Sequence, residues 1–286
     1  MTPIQWYPGH MTKTMRVLAG HVSLVDLVIE LLDARIPYSS QNPDLDNLTR
    51  HKPRLVILNK ADLADPVTTR KWEAFYTEKG FSVLAADARQ KVKPLVETVR
   101  GIMNEKIVRQ RQKGRLSTLI RAMVVGIPNV GKSTFINQVA GRASAAVEDR
   151  PGVTRGQKWI KVQRDFDLLD TPGVLWPKFD DPVVGLNLAM TGAISENVFD
   201  AITLSEELLL RLLKLAPGAV LKRYSLSPEI VEKVSTEEVP RELLTQIGNA
   251  RGFKIKGGGI DILRTSVMLL DEFRGGKLGR ISLERP

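Results

Sequence analysis

Runs of β-branched and leucine-rich residues recur along the first half of the chain, at 25–32, 54–58, 82–86 and 121–126. Each is short, and apolar without alternation, which predicts strands covered on both faces. Between them the apolar positions shift to helical spacing near 42–50, 66–79 and 92–113. A further helix is predicted at about 132–141, followed by the Gly/Pro-marked loop "EDRPGVTRG" at 148–156. The strands "KWIKVQ" (158–163) and "FDLLDT" (166–171) then lie close enough to form a hairpin. Strands alternating with helices predict an α/β fold, a mostly parallel sheet with helices on both faces.

Beyond Pro182 the pattern changes. "VGLNLAMTGAI", "LSEELLLRLLKLAPGAVLKRY", "VPRELLTQIGNARGF" and "GIDILRTSVMLLDEFRGG" all carry helical spacing, punctuated by Pro217, Pro228, Pro240 and Gly257–Gly259. The expected organisation is an α/β domain over 1–180, with an N-terminal extension at 1–22, and an all-helical domain over 181–286. A length of 286 residues and 43% apolar content suit two packed domains. The apolar stretch "LVDLVIELL" contains Asp26 and Glu30 and is too short to span a bilayer. No cysteine is present, and "MTPIQWYPGHMTK" carries charge and proline in place of an apolar leader core. A cytoplasmic protein with no membrane partner is expected.

The net charge of +10 is uneven. Residues 182–286 hold 14 Lys+Arg against 13 Asp+Glu, leaving 28 against 19 in the preceding part. The densest basic run is Arg100, Lys106, Arg109, Arg111, Lys113, Arg115 and Arg121. It reads either as a solvated helix face or as a contact for RNA phosphates.

"GIPNVGKS" at 126–133 matches G-x-x-x-x-G-K-[ST], with a strand leading in and a helix leading out. Gly126 and Gly131 let backbone N–H groups turn inward on phosphate oxygens. Lys132 can reach the β- and γ-phosphates, and the Ser133 hydroxyl can ligate Mg²⁺. Val130 and Thr134 complete this phosphate-binding set. "LNKAD" at 58–62 places Asn59, Lys60 and Asp62 at the C-terminal end of a strand, where open α/β sheets bind ligands. An Asp62 carboxylate can accept from guanine N1–H and N2–H₂, a donor pair that adenine lacks. Asn59 can brace the loop and contact the base edge, while the Lys60 stem covers the base face. GTP and GDP are therefore the expected ligands.

"DTPG" at 170–173 supplies Asp170 for Mg²⁺ and the Gly173 N–H for the γ-phosphate, and Thr154 stands where a first switch gives its hydroxyl to the metal. Asn129 either shapes the phosphate loop or helps hold K⁺ in place of an arginine finger. Ras-like enzymes place a water-orienting glutamine after D-x-x-G; here that position is Val174.

The motifs run base, phosphate, first switch, D-x-x-G. That order is what results when a GTPase sheet is cut after its D-x-x-G strand and its old termini are joined. The segment "VLWPKFDD" at 174–181 then leads directly into the helical domain, where contacts at Gly173 can bias how that domain sits. With "QWYPGHM" at 5–11 and "LLDARIPYSSQNP" at 31–43, the chain closely resembles the circularly permuted GTPases of the YlqF type, over essentially its whole length.

That resemblance implies a P-loop GTPase fold and Mg²⁺-dependent GTP hydrolysis. It also implies assistance in late assembly of the large ribosomal subunit, rRNA binding in which the helical domain takes part, and stimulation by the ribosomal particle. No DNA partner is expected. It further implies a water-orienting role for His10. The loop "AADARQK" at 85–91 departs from the usual guanine-contacting pattern, with Ala86, Asp87 and Ala88 standing in. The alternative is an RNA-binding assembly scaffold that keeps GTP as a structural ligand.

Overall fold

The computed structural model describes residues 10–90, 92, 94–115, 117–141, 158–176, 178–194, 199–229 and 239–286. Its six strands are β1 (Leu27–Asp33), β2 (Arg54–Asn59), β3 (Ser82–Ala85), β4 (Ile120–Gly126), β5 (Lys158–Gln163) and β6 (Phe166–Asp170). They form one sheet in the order β3-β2-β1-β4-β6-β5, parallel except for the β5–β6 hairpin. Every residue of β1 and β2 is buried, which is why those segments read as continuous apolar runs. On β5, Lys158, Lys161 and Gln163 are exposed while Ile160 is buried, so the outer strand carries charge on an open edge.

The chain runs from β1 out to β3, then crosses back to β4 on the other side of β1. The topological switch therefore lies between the C-terminal ends of β1 and β4, where a doubly wound sheet leaves its ligand crevice. The crossover uses two helices, α5 (Leu95–Ile102) and α6 (Asn104–Gln112), where the spacing predicts one helix over 92–113. The break falls at Met103, whose side chain is buried. Leu95 and Val99 bury one face of α5, whereas α6 buries no residue at all.

The other helices of this part are α1 (His10–Val22), α2 (Pro37–Ser40), α3 (Pro43–Thr49), α4 (Pro66–Glu78) and α7 (Lys132–Ala140). Pro37, Pro43 and Pro66 open their helices, where a missing N–H costs no hydrogen bond. Within the stretch 1–22, α1 sets Leu18 fully into the main core.

Among the described residues five helices follow: α8 (Pro182–Met190), α9 (Ala201–Leu215), α10 (Pro217–Tyr224), α11 (Val239–Ala250) and α12 (Ile262–Arg274). Asp181, Asp200 and Asp261 cap α8, α9 and α12 by accepting from backbone N–H groups of the first turn. They enclose a second core around Leu208, Leu212, Leu244 and Leu269. Helix α8 serves both cores, giving Val184 and Leu188 to the first and Ala189 and Met190 to the second. After α12 the chain leaves helical geometry. Residues 278–286 return across the α/β part, an arrangement the helical spacing of the second half does not announce.

Candidate functional site

The phosphate loop spans the turn from β4 into α7. Gly131 sits at φ 100°, in the left-handed region, and a Cβ there would lie 2.5 Å from Asn59 Nδ2. The first-turn N–H groups of α7 have no helical acceptor, and the exposed Ser133 and Thr134 stand beside them, so this terminus is built to receive an anion. Lys132 lies in the floor, with Nζ donating to the carbonyls of Gly126 (3.1 Å) and Ile127 (2.9 Å). Burial lowers its ammonium to about 8, against the pull of Asp170 in the other direction. Lys132, Ser133, Asn129, Asp170 and Gly173 border one cleft of about 400 Å³. Gly173 packs directly on the loop, since a Cβ there would lie 2.8 Å from both Lys132 Nζ and Pro128 N.

The base motif lies beside this loop. The Asn59 amide donates to the Val130 carbonyl (2.7 Å) and accepts from the Ala88 N–H (2.9 Å). One side chain thus ties the phosphate loop, the base loop and the loop after β3 together, and both ends of its amide are used within the protein. Lys60 adopts a left-handed conformation (φ 58°), unfavourable for a side-chain-bearing residue. Its Nζ pairs with Asp33 at 3.0 Å. Burial alone would raise the Asp33 carboxyl, but the charges of Arg35 and Lys60 hold it far below the usual range. Asp62 is bound through Oδ2 by the guanidinium of Arg89, which also grips Asp87.

In the loop after β3, the Ala86 N–H donates to Leu58 and its carbonyl accepts from Ala61. The Ala88 N–H is held by Asn59, while the Asp87 N–H has no acceptor among the described residues.

Two expected positions are not described. Thr154 lies outside the described residues, and His10 is placed only as the first residue of α1, its side chain outside them. Val174 is buried, donates its N–H to Gly126 and accepts at its carbonyl from Asn42, and its apolar side chain offers no atom to orient a water. Asn129 reaches away from the sheet part, its Nδ2 donating to the Gly192 carbonyl (2.7 Å) just after α8.

The hard-oxygen pair Ser133 and Asp170 suits Mg²⁺, which keeps several waters and binds mainly through phosphates rather than a protein cage. Among the described residues no group of three or more acidic, histidine or cysteine side chains is placed to hold a metal ion. Sequence reasoning missed three contributors: Arg89, Gly192 and Arg280. Arg280 donates from Nη2 to the Ala61 carbonyl (2.8 Å) and from Nε to the Ala64 carbonyl (2.9 Å), holding the base loop from behind. Only a motif match exposes a site residue from sequence, and these three act through tertiary contacts with backbone or with a motif side chain.

Residues 121–225 match the family model described as 50S ribosome-binding GTPase. A Bacillus cereus protein named ribosome biogenesis GTPase A is 46% identical over 285 residues, spanning 99% of this chain and 94% of its own. The Thermotoga maritima protein of that name is 29% identical over 99% of this chain and 95% of its own. The mouse mitochondrial ribosome-associated GTPase 1 is 32% identical over 98% of this chain and 90% of its own. Among solved structures, GNP-bound YlqF from T. maritima superposes with a TM-score of 0.67 at 26% identity, covering 96% of this chain and 98% of that one.

Proposed function

Because this chain belongs to the ribosome biogenesis GTPase A family, the circularly permuted GTPases of the YlqF type, we propose that it hydrolyses GTP as a timer for assembly of the large ribosomal subunit, binding rRNA and accelerated by the ribosomal particle. The observation that carries the nucleotide reading is Asn59, whose amide joins the base loop to the phosphate loop although the two motifs stand in reversed chain order. In this reading Asp62 reads guanine, the Lys60 stem covers the base, and the Asp87 N–H takes a contact at its edge.

The α7 N-terminus and Lys132 cradle the β- and γ-phosphates, placing positive charge where negative charge grows as the terminal phosphoryl is transferred to water. Ser133 and Asp170, with Thr154, would hold Mg²⁺, which supplies neutralisation of the β- and γ-oxygens. Asn129 lines the phosphate cleft, and its side-chain oxygen would serve as a ligand for K⁺. We assign the sheet part to residues 1–180 and the helical part to 181–286, and place the protein in the cytoplasm. No helix of the described residues is long and apolar enough to cross a membrane.

Buried Val174 favours a second reading, a scaffold that retains GTP with negligible turnover. Phosphate release in Mg²⁺ with K⁺ or Na⁺, with and without large subunits, separates the two. Strong stimulation by the particle, greater in K⁺ and lost in His10→Ala at unchanged GTP affinity, is expected of the timer with His10 at the water. No stimulation supports the scaffold.

Lys132 also makes a pH prediction. Bound phosphate stabilises the ammonium, so binding takes up a proton wherever free Lys132 is neutral, and affinity falls as pH rises through about 8. Between pH 7 and 8.5, GDP affinity should drop about four-fold, with proton uptake visible in calorimetry across buffers of different ionisation enthalpy.

A surface for RNA lies at the opposite end of the sheet. Lys106 anchors α6 there through Asp26 (2.6 Å), and Arg100 anchors α5 through Asp165 (3.0 Å), both acids just preceding a strand. Arg109, Arg111, Lys113 and Arg115 are exposed and have no carboxylate partner among the described residues. Reversing Arg109 and Arg111 to Glu is expected to weaken binding to large subunits and to reduce the log–log salt slope by roughly two. GDP affinity should be untouched. Unchanged particle affinity would make α6 a solvated face.

A further inference from the structure

Asp62 is the residue expected to accept guanine's N1–H and N2–H₂, yet in this structure it already has a donor. The guanidinium of Arg89 binds Asp62 Oδ2 through Nη2, and Asp87 through Nε at 2.9 Å and Nη2 at 3.1 Å. A guanidinium is a planar N–C–N fork of N–H donors. Guanine's Watson–Crick edge offers the same unit, an N1–H and an N2–H₂ on one carbon. Here the Nε/Nη2 fork grips Asp87 and Nη2 alone reaches Asp62, so one guanidinium N–H₂ and guanine's edge compete for the Asp62 carboxylate.

Three further observations fit a removable plug rather than a fixed strut. The Arg89 side chain is 67% exposed, so it can swing into solvent. The Arg89 backbone N–H and Nε both bond to Asp87 Oδ1, which tethers the group beside the base loop when Asp62 releases it. Among the described residues the Asp62 carboxylate has no second hydrogen-bond donor, and the neighbouring Arg35 gives its Nε and Nη2 to Asp33.

We propose that Arg89 is a tethered competitor for guanine: it caps Asp62 when the site holds no nucleotide and must be displaced for the base to bind. The arrangement keeps the carboxylate paired in the empty protein and lowers nucleotide affinity, because the base can bind only when Arg89 has left Asp62. It rests on Asp62 being the guanine-reading carboxylate, and the test separates the two claims.

The sign of the effect is diagnostic. Removing a cation near an anionic ligand ordinarily weakens binding through loss of attraction. Removing a competitor strengthens it. Arg89→Ala should bind GDP about two- to five-fold more tightly, mainly through faster association. The gain should shrink as ionic strength rises. Arg89→Lys, which keeps the charge but cannot hold Asp87 and Asp62 together, should fall between wild type and Arg89→Ala.

The measurement is calorimetric affinity and stopped-flow association and release of GDP and XDP for wild type, Arg89→Ala, Arg89→Lys, Asp62→Asn and the double variant Asp62→Asn/Arg89→Ala. Asp62→Asn should exchange guanine preference for xanthine, because an amide donates where xanthine offers a carbonyl. In the double variant the gain from losing Arg89 should vanish. If Asp62→Asn leaves base preference unchanged, the base reading fails and the proposal falls with it. If preference switches but Arg89→Ala binds GDP equally or more weakly, the proposal alone is overturned.

Discussion

Lys132→Met is expected to reduce affinity for GTP and GDP by about 10²- to 10³-fold while the protein folds as stably as wild type to within about 1 kcal/mol. The two halves of this expectation have one cause. Lys132 is 8% exposed and holds its ammonium against two backbone carbonyls with no directly bonded carboxylate. Burying that charge is unfavourable, and the lowering from 10.5 to about 8 measures it. The unfolded chain binds a proton up to its higher value, so stability of the nucleotide-free protein rises as pH climbs from about 8 to 10.5. Below that window the penalty is present in full, on the order of 3 kcal/mol. A methionine of similar shape removes it, at the cost of leaving Gly126 and Ile127 carbonyls without this donor, about 1–3 kcal/mol. The terms nearly cancel for the fold. For the ligand nothing offsets the lost charge. Thermal unfolding with and without GDP reads both at once: wild type should gain stability on adding GDP and Lys132→Met should not. A variant that unfolds at low temperature would place Lys132 in the architecture instead.

The lysine was legible because its motif is contiguous, and the same holds for most of the fold. Strands β1, β2 and β4 stood out since a sheet covered on both faces imposes unbroken apolar runs. The permuted order was legible too, because each motif carries its own strand and loop context. What stayed hidden was long-range. Helix α8 looks apolar throughout, but only packing reveals that it divides its residues between two cores. The break at Met103 was missed because two successive helices extend one periodic pattern, and a methionine carries no stop signal. Arg89 and Arg280 look like any surface arginine. Their significance depends on which carboxylate or carbonyl lies opposite, 27 residues away for Asp62 and 219 for Ala61.

Arg280→Ala is expected to weaken GDP binding about ten- to thirty-fold and to erode discrimination between GDP and XDP, though Arg280 meets the base loop only through backbone carbonyls. The base loop must hold Asp62 against the pull of a strained neighbour, since Lys60 occupies a left-handed conformation. Behind the loop, Arg280 Nη2 and Nε grip the Ala61 and Ala64 carbonyls, the Ile281 N–H donates to the Leu63 carbonyl at 2.9 Å, and Ser282 Oγ accepts from the Asp65 N–H at 3.1 Å. Each backbone oxygen from 61 to 64 that faces the tail is thereby fixed by a segment joined directly to α12. Two donors from a charged group contribute about 1.5–3 kcal/mol each at most, and partial exposure brings the pair to the level of a ten- to thirty-fold effect. Looseness of the loop is lost on binding guanine, so the cost falls on the base and not on the phosphates. Inorganic pyrophosphate should therefore inhibit GDP binding equally well in variant and wild type. Arg280→Lys, able to reach one carbonyl at a time, should recover part of the loss. The competing expectation is that the tail serves only to fasten the helices to the sheet, through Leu283 to the Arg35 carbonyl and Glu284 to Ser39 and Asn187. In that case melting temperature would fall while base discrimination stayed intact. Coupled loss of discrimination would mean that the helical part, through its returning tail, sets how firmly the base loop reads guanine.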